Sequence, residues 1–144
     1  MSVAEDYNSD LPDDYRPGDK EAYMNPKMRE YFRRKLLSWK QEILAESRVT
    51  LANLQTENDL LADLVDRASS EADRALELRT RDRQRKLISK IDSALRRIDD
   101  GSYGYCEETG EPIGVGRLEA RPTATLSVEA QEAHERNEKV HRDD

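Results

Sequence analysis

The stretch Leu61-Ala62-Asp63-Leu64-Val65-Asp66-Arg67-Ala68 decides the fold, because it interrupts a helical pattern near the middle of the 144-residue chain. No Gly or Pro occurs between Lys27 and Asp100, so the strongest helix breakers are absent on both sides of it. The simplest geometry is two antiparallel helices joined at a short acidic tip. The sequence therefore predicts a mainly α-helical protein organised around a long coiled-coil hairpin over residues 26–100, with its tip at residues 62–69.

Asn25-Pro26 predicts the start of the first helix. Asn is a good N-cap, and Pro at the first helical position costs nothing because its missing N–H would have no intrahelical partner. About 35 residues at 1.5 Å each would make a helix of roughly 50 Å. A stripe of residues at 4,3-type spacing predicts packing against one partner helix. The stripe comprises Phe32, Leu36, Trp39, Ile43, Thr50, Leu54 and Leu61, with Leu37, Leu44 and Leu51 widening it.

The second helix is expected to begin between Asp63 and Ser70, since Asp66 and Ser70 can both act as N-caps. Asp99-Asp100-Gly101 predicts its end, where Gly can adopt a left-handed C-terminal turn. The run from Arg79 to Lys86 is almost wholly polar, which predicts a weak polar seam at that level of the hairpin. The facing stripe is expected at Leu76, Leu87, Ile91, Ala94 and Ile98.

The two ends of the chain differ in character from the hairpin. Residues 1–25 are polar and contain several breakers, which predicts a partly irregular N-terminal arm. Residues 101–144 begin with a Gly-rich, turn-forming stretch, and Ser127 can cap a last helix over about 127–140. We expect this C-terminal part to form a small globular domain.

Composition limits the classes of function. The formal net charge is -7, which argues against general nucleic-acid binding, because attraction to phosphates supplies most non-specific affinity. The single cysteine excludes an internal disulfide and fits a reducing compartment. Since no secretory signal or membrane-spanning apolar run is visible, we expect a cytoplasmic protein that does not insert into membranes.

Positions 106, 109, 127 and 130 have the C-x2-C…C-x2-C spacing of a structural zinc ribbon. The residues there are Cys106, Thr109, Ser127 and Ala130, so a single thiol remains. His134 could add one imidazole, which still leaves two ligands missing. The sequence therefore predicts a zinc-finger-like domain that holds no zinc. Apolar packing is expected to replace the metal, with these candidates: Tyr103, Tyr105, Ile113, Val115, Leu118, Leu126 and Val128.

These segments together resemble the DksA/TraR family of bacterial transcription factors, over about residues 17–137. The segments that carry the resemblance are Tyr23-Met24-Asn25, the tip, residues 76–88, Gly104-Tyr105-Cys106, and residues 113–124, which include Arg117-Leu118-Glu119-Ala120-Arg121-Pro122-Thr123-Ala124. The chain departs from the family in its zinc positions, where Cys-Thr-Ser-Ala stands in place of four cysteines.

The resemblance implies a non-enzymatic regulator that binds RNA polymerase and has no DNA sequence specificity. The hairpin would enter the secondary channel, destabilise open promoter complexes and act with the alarmone ppGpp in the stringent response. Ribosomal RNA promoters would be repressed and some biosynthetic promoters activated. We expect a monomer.

The resemblance also assigns roles to particular residues. The tip residues Asp63, Asp66 and Ala68 would approach the catalytic centre of the polymerase. Arg83 and Leu87 would face the channel rim. A ppGpp site shared with polymerase would use Lys90, Arg121 and Gln131, the last standing where the family often has Lys.

Simpler interpretations stay open for each group. Asp63 and Asp66 can be helix N-terminal caps, where negative charge is favoured. Arg83 and Lys90 can be solvated residues, and Leu87 can pack in the seam. Cys106 can be a small buried residue or a redox reporter. Two other functions also remain possible: a transcript-cleavage factor of the Gre type, and an adaptor or nucleic-acid binder that uses the basic stretch from Arg79 to Arg97.

Overall fold

The computed structural model describes residues 11–61 and 67–143. Within these ranges the side chains are described except at positions 50, 54, 55, 57–61, 67–70 and 141–143. Within these ranges four helices follow one another: α1 (Pro26–Leu61), α2 (Arg67–Asp100), α3 (Val115–Ala120) and α4 (Val128–Asp143). Among the described residues, β structure is limited to an isolated bridge between Tyr105 and Pro112. The predicted mainly α-helical fold, with two long helices on either side of residues 62–66, is confirmed.

The helix ends follow from local sequence. The Asn25 side-chain oxygen accepts a hydrogen bond of 2.9 Å from the N–H of Met28, as expected for an N-cap followed by Pro26. Gly101 has φ +87°, and the N–H of Ser102 donates to the carbonyl of Arg97 at 3.0 Å, which completes the predicted left-handed end of α2. The Ser127 hydroxyl accepts from the N–H of Ala130 at 3.2 Å and caps α4 as predicted.

The described chain forms two compact units. Of the described residues, unit 1 comprises 11–36 and 93–143, and unit 2 comprises 37–61 and 67–92. Each of the two long helices therefore contributes one segment to each unit. The candidate zinc positions all lie in unit 1, while Arg83, Leu87 and Lys90 lie in unit 2.

Unit 1 is built on apolar burial. Phe32 and Tyr103 form a ring pair with centroids 5.7 Å apart. Around this pair, the side chains that are at most 1% exposed are Met28, Phe32, Leu36, Ala94, Ile98, Tyr103 and Leu118. Burying apolar surface stabilises by roughly 25 cal/mol per Å², and this cluster forms the apolar core of the unit.

Unit 2 has a thinner core. Ile43 and Ile91 are buried, whereas Leu44, Leu51 and Leu76 are 37%, 41% and 60% exposed, so their predicted places in the hairpin seam are wrong. Successive residues of an α-helix are rotated by about 100° around the helix axis, so neighbours in sequence face different directions. Ile43 occupies the seam, so Leu44 and its neighbour one heptad later point away from it.

The described helices contain no segment that is long and apolar enough to cross a membrane.

Candidate functional site

The predicted tip falls largely outside the described residues. Asp63 and Asp66 lie between Leu61, where α1 ends, and Arg67, where α2 begins. Ala68 is in the first turn of α2, and its side chain is not among those described. Because Ser70 is already helical, it is not the N-cap of α2.

The seam of unit 2 is polar where the sequence predicted it. The Ser47 hydroxyl and the Gln84 side-chain oxygen are 2.9 Å apart, and the Gln84 amide donates to Glu46 at 3.4 Å. Further along the same unit, the Lys40 ammonium lies 2.6 Å from the Asp92 carboxylate. In each of these contacts the number of the α1 residue and that of the α2 residue add up to about 131. This sum defines the register of the two helices in this unit.

The register explains why Leu76 is exposed. On α2, the half-buried positions from Glu77 to Gln84 are Glu77, Thr80, Arg81 and Gln84, which share one face by their spacings of three and four residues. Leu76 lies about 100° away from Glu77 around the helix. Polar side chains therefore occupy the seam here, while a leucine faces solvent.

Four cations follow one exposed face of α2. Arg79, Arg83, Lys86 and Lys90 recur at spacings of four, three and four residues, and all four are exposed. The carboxylate of Asp82 lies 3.2 Å from Lys86, at the side of this face. The face can therefore meet an anionic partner along about 16 Å of helix. Leu87 is half-buried beside this face, in agreement with a place at the edge of the seam.

Arg121 and Gln131 both belong to unit 1. Arg121 is exposed directly after α3, where its N–H donates to the carbonyl of Arg117 at 2.8 Å. Gln131 is half-buried in the first turns of α4, and its amide donates to Glu135 at 3.3 Å. Lys90 belongs to unit 2, where it is exposed.

Of the four positions with zinc-ribbon spacing, Thr109 and Ser127 act on the thiol of Cys106, and the N–H of Ala130 donates to the Ser127 hydroxyl. The Thr109 hydroxyl and the backbone N–H groups of Ser127, Thr109 and Glu108 donate to this sulfur, and they lower the pKa of the Cys106 thiol to about 6. Cys106, Ser127 and Ala130 are 3%, 5% and 6% exposed. Three of the four positions are thus buried, with a single thiol among them.

These residues do not suit zinc. Structural zinc takes four thiolate or imidazole ligands, but the other three positions offer the hydroxyls of Thr109 and Ser127 and the methyl group of Ala130, which is buried. Among the described residues, His, Cys, Asp and Glu form no group of three or more that could hold a metal ion. His134 contacts Glu108 instead, and this contact raises the pKa of the His134 imidazole.

Several residues of unit 1 carry long-range contacts that the sequence did not predict. The Tyr23 hydroxyl donates to the carbonyl of Gly104 at 2.6 Å and accepts from the N–H of Gly114 at 3.0 Å. Lys35 donates to the Glu119 carboxylate at 2.6 Å. Burial alone would raise the pKa of Glu119, but the hydrogen bonds from Lys35 and Tyr31 outweigh it and hold that pKa below its usual value.

No periodic signal could have found these contacts, since their partners are 81–91 residues apart in the chain. The only sequence sign was that Tyr23, Gly104 and Glu119 all fall in segments that carry the family resemblance.

The apolar residues expected to replace zinc are only partly buried. Tyr103, Ile113, Val115 and Leu118 belong to the core. In contrast, Tyr105 is 37% exposed and Val128 45% exposed, so neither contributes as predicted. The ring of Tyr105 instead lies edge-on to that of Tyr23, with centroids 5.5 Å apart.

Two family models match most of the chain. Residues 28–98 match the model of the DnaK suppressor protein DksA, N-terminal domain. Residues 101–136 match the prokaryotic dksA/traR C4-type zinc finger.

Named proteins and a solved structure give the same result. The chain is 74% identical over 131 residues to the RNA polymerase-binding transcription factor DksA of Caulobacter vibrioides, covering 91% of this chain and 92% of that protein. It is 44% identical over 124 residues to the protein of the same name from Escherichia coli K12, covering 86% and 81%. The structure of transcription factor DksA2 from Pseudomonas aeruginosa superposes with a TM-score of 0.76 at 41% identity, covering 86% of this chain and 94% of that one.

Proposed function

The chain belongs to the DksA/TraR family, and we propose that it is a transcription factor that binds RNA polymerase and is not an enzyme. The high identity to named polymerase-binding factors along nearly the whole chain carries this proposal. In the proposed mechanism the hairpin enters the secondary channel of polymerase and destabilises open promoter complexes. Together with ppGpp, the protein represses ribosomal RNA promoters and activates some biosynthetic promoters.

The proposed active-centre contacts are Asp63, Asp66 and Ala68. Two carboxylates at the end of a long hairpin can interact with cationic side chains or with a metal-bearing centre that a globular domain could not reach. Helix α1 alone has 36 residues, or about 54 Å at 1.5 Å per residue. That length supports a role in reaching down a channel.

The proposed contacts with the channel are Arg83, on the exposed cationic face of α2, and Leu87. Arg83 lies in the middle of this face, and half-buried Leu87 lies beside it. An exposed Arg can form two parallel hydrogen bonds to a carboxylate of the partner. The channel contact is therefore proposed to combine one charged and one apolar side chain.

We propose that ppGpp is bound by Lys90, Arg121 and Gln131 together with polymerase. Exposed Lys90 and Arg121 can contact phosphates through charge, and Arg can do so with two hydrogen bonds. Gln131 offers neutral hydrogen bonds only. The response to ppGpp should therefore survive with altered strength.

We further propose that the protein acts as a cytoplasmic monomer, without structural zinc and without sequence-specific DNA contacts. The donor set at residues 106, 109, 127 and 130 supports the zinc proposal. In activity assays, a chelator or peroxide should leave transcriptional control largely intact, since there is no four-thiolate cluster to lose.

Transcription in vitro from a ribosomal promoter, with and without ppGpp, tests the main proposal. Purified protein should reduce transcript yield, and ppGpp should deepen the effect. The Asp63→Asn variant should bind polymerase yet lose most of the inhibition, while Asp59→Asn, a matched change outside the tip motif, should behave as the parent protein. Full inhibition by Asp63→Asn would remove the tip from the mechanism.

Backtracked elongation complexes incubated with the protein and magnesium provide a separate test. We expect no accelerated RNA cleavage. Rapid cleavage would make the protein a factor of the Gre type instead.

The ppGpp site is tested with three variants in the same promoter assay. Lys90→Ala and Arg121→Ala should weaken the added effect of ppGpp while leaving inhibition without ppGpp unchanged. Lys86→Ala, on the same exposed face one turn away, is the control for general loss of charge. Gln131→Lys should strengthen the ppGpp effect; if it weakens it, position 131 does not face the phosphates.

A further inference from the structure

Arg121, the proposed phosphate contact of unit 1, stands directly after the short helix α3. A helix of six residues is not stable on its own, because forming the first hydrogen-bonded turn is unfavourable and few further bonds follow. The direction of α3, and with it the place where Arg121 leaves the helix, is therefore set by contacts with other segments. Three such contacts, all within unit 1, come from the N-terminal arm, from α1 and from the residues that follow α2.

The first contact lies at the beginning of α3. The N–H of Gly114, the residue before the helix, donates to the hydroxyl of Tyr23 at 3.0 Å, and that hydroxyl donates to the carbonyl of Gly104 at 2.6 Å. The carbonyl of Gly114 accepts from the N–H of Leu118 at 3.1 Å, and Leu118 is fully buried in the core of unit 1. The N-terminal arm thus fixes where α3 starts.

The second contact is made by Lys35 of α1 at the opposite end of α3. Its ammonium group donates to the backbone carbonyl of Glu119 at 3.0 Å and to the carboxylate of the same residue at 2.6 Å. The last carbonyls of a helix have no intrahelical partner, and a lysine side chain can supply one. Glu119 is two residues before Arg121, whose N–H donates to the carbonyl of Arg117 at 2.8 Å. One side chain of α1 therefore holds the last turn of α3 by its backbone and by a side chain at once.

The third contact follows Arg121 in the chain. The hydroxyl of Tyr103, which is 1% exposed, donates to the carbonyl of Pro122 at 2.7 Å. The N–H of Ala124 donates to the carbonyl of Arg121 at 3.0 Å. Backbone groups on both sides of Arg121 are thus held in place, whereas its side chain is exposed. A side chain on a fixed backbone is pre-organised for a ligand, because binding then has to order less of the chain.

We propose that Lys35 is a positioning residue for Arg121. Through the carbonyl and the carboxylate of Glu119, it fixes the turn from which the Arg121 guanidinium meets the phosphates of ppGpp. Tyr103 belongs to the apolar core, but the side chain of Lys35 is 35% exposed, so Lys35 can be replaced without opening a cavity. The inference rests on the proposed function of Arg121 and adds a residue that acts on ppGpp only through α3.

Lys35→Met keeps most of the length of the side chain and removes its hydrogen-bond donors. In the ribosomal promoter assay, the concentration of ppGpp that gives the half-maximal effect should rise roughly 2- to 12-fold, the cost of ordering one more side chain on binding. Inhibition without ppGpp should stay as in the parent. Lys35→Arg, which keeps donors for both oxygens of Glu119, should restore the response. An unchanged response to ppGpp in Lys35→Met overturns the proposal.

Lys40→Met is the matched control. Lys40 is also in α1, and its ammonium lies 2.6 Å from the Asp92 carboxylate, the same distance as between Lys35 and Glu119. Lys40→Met therefore removes a similar ion pair elsewhere on the same helix, and it should respond to ppGpp as the parent does. Equal losses in Lys35→Met and Lys40→Met would be a general effect of removing a lysine and would contradict the role of Lys35.

The double variant Lys35→Met, Arg121→Ala tests whether Lys35 acts through Arg121. Substitutions of residues that act together are not additive. Lys35→Met added to Arg121→Ala should therefore weaken the response to ppGpp no further than Arg121→Ala alone. Losses that add up would mean that Lys35 acts by another route, and they too overturn the proposal.

Hydrogen exchange of the Arg121 amide tests the positioning without ppGpp or polymerase. This amide donates to the carbonyl of Arg117 in the turn that Lys35 holds, so it should exchange faster in Lys35→Met than in the parent. The amide of Gln131 in α4 is the internal control and should keep its parental rate. Equal rates for Arg121 in parent and variant contradict the positioning. If Arg121→Ala leaves the response to ppGpp intact while this exchange is faster, the proposed function of Arg121 fails and its positioning by Lys35 stands.

Discussion

Units 1 and 2 hold their helices together by different means. In unit 1, large apolar side chains at most 1% exposed pack around the Phe32–Tyr103 pair. In unit 2, hydrogen bonds and an ion pair join the helices, and leucines face solvent. Apolar burial stabilises far more per residue than an exposed ion pair does. Stability is therefore concentrated in unit 1. The surface residues of unit 2 contribute less to folding and can serve to bind a partner.

The largest expected effect is the contrast between a core residue and an exposed leucine. Phe32→Ala should reduce the free energy of unfolding by about 3–5 kcal/mol, because a fully buried aromatic ring leaves a cavity in unit 1. Leu76→Ala in unit 2 should change it by less than about 0.5 kcal/mol, because the side chain is 60% exposed. Urea denaturation measures both. Similar losses for the two variants would contradict the contrast between the units.

A second prediction concerns the close approach of Gly104 to Met24. A Cβ at Gly104 would lie 3.0 Å from the Cγ and Sδ atoms of Met24, and Gly104 has φ +92°. Gly104→Ala should cost about 2–3 kcal/mol from backbone strain and overpacking together.

Gly101→Ala is the matched control for this prediction. Gly101 has φ +87°, but an added Cβ there would meet no atom within 4 Å, so only the backbone cost of about 1–2 kcal/mol should appear. The difference between the two variants in urea denaturation measures the contact with Met24. Equal costs would show that Met24 moves aside freely.

A third prediction reverses the polar character of the seam in unit 2. Ser47 and Gln84 form one of its hydrogen bonds, and both are half-buried. Replacing both partners by apolar residues is close to neutral or stabilising, since neither member of this pair is left unpaired. The Gln84 amide also donates to Glu46, but Glu46 is exposed to water, so the loss of this contact costs little. The double variant Ser47→Ala, Gln84→Leu should raise the free energy of unfolding by up to about 1 kcal/mol.

The single variant Ser47→Ala is the control for the double replacement, because it leaves Gln84 without this partner and should be slightly less stable than the parent. If the double variant is the least stable of the three, polar pairing contributes more to unit 2 than apolar burial at the same positions.

Local signals in the sequence predicted the ends of the helices well. Asn25, Gly101 and Ser127 act through neighbours within a few residues, so their chemistry fixes the backbone before any tertiary contact forms. The seam was harder, because its position on each helix depends on the partner helix. At Leu44, Leu51 and Leu76 apolar character suggested a seam position, but the register placed neighbouring residues there instead.

The candidate site could be predicted from the sequence only in part. The zinc-ribbon spacing located four positions of which the structure buries three, although it could not show that Ser127 and Thr109 act on the thiol of Cys106. The bridge made by Tyr23 was not predictable, since a tyrosine hydroxyl carries no spacing signal for partners in another part of the chain. The roles of Asp63, Asp66, Arg83 and Lys90 depend on a partner molecule, and they stay predictions.

The smallest expected effect is a pH dependence of the stability that the His134–Glu108 contact gives to unit 1. Glu108 raises the pKa of His134 through a hydrogen bond and charge, and Glu138 adds to it through charge. A raised pKa in the folded state means that the stabilisation is fully present below the unfolded pKa of about 6.5, and is lost as pH rises through the higher folded value. His134→Gln should remove this contribution and so flatten the pH dependence of stability in that window, with little change at higher pH.

Denaturation midpoints of the parent and His134→Gln, measured across the neutral range, should therefore differ on the acidic side and converge on the alkaline side. Because both side chains are about half exposed, the difference should be smaller than for any change above, and a difference that grows with rising pH would show that Glu108 is not the partner of a protonated His134.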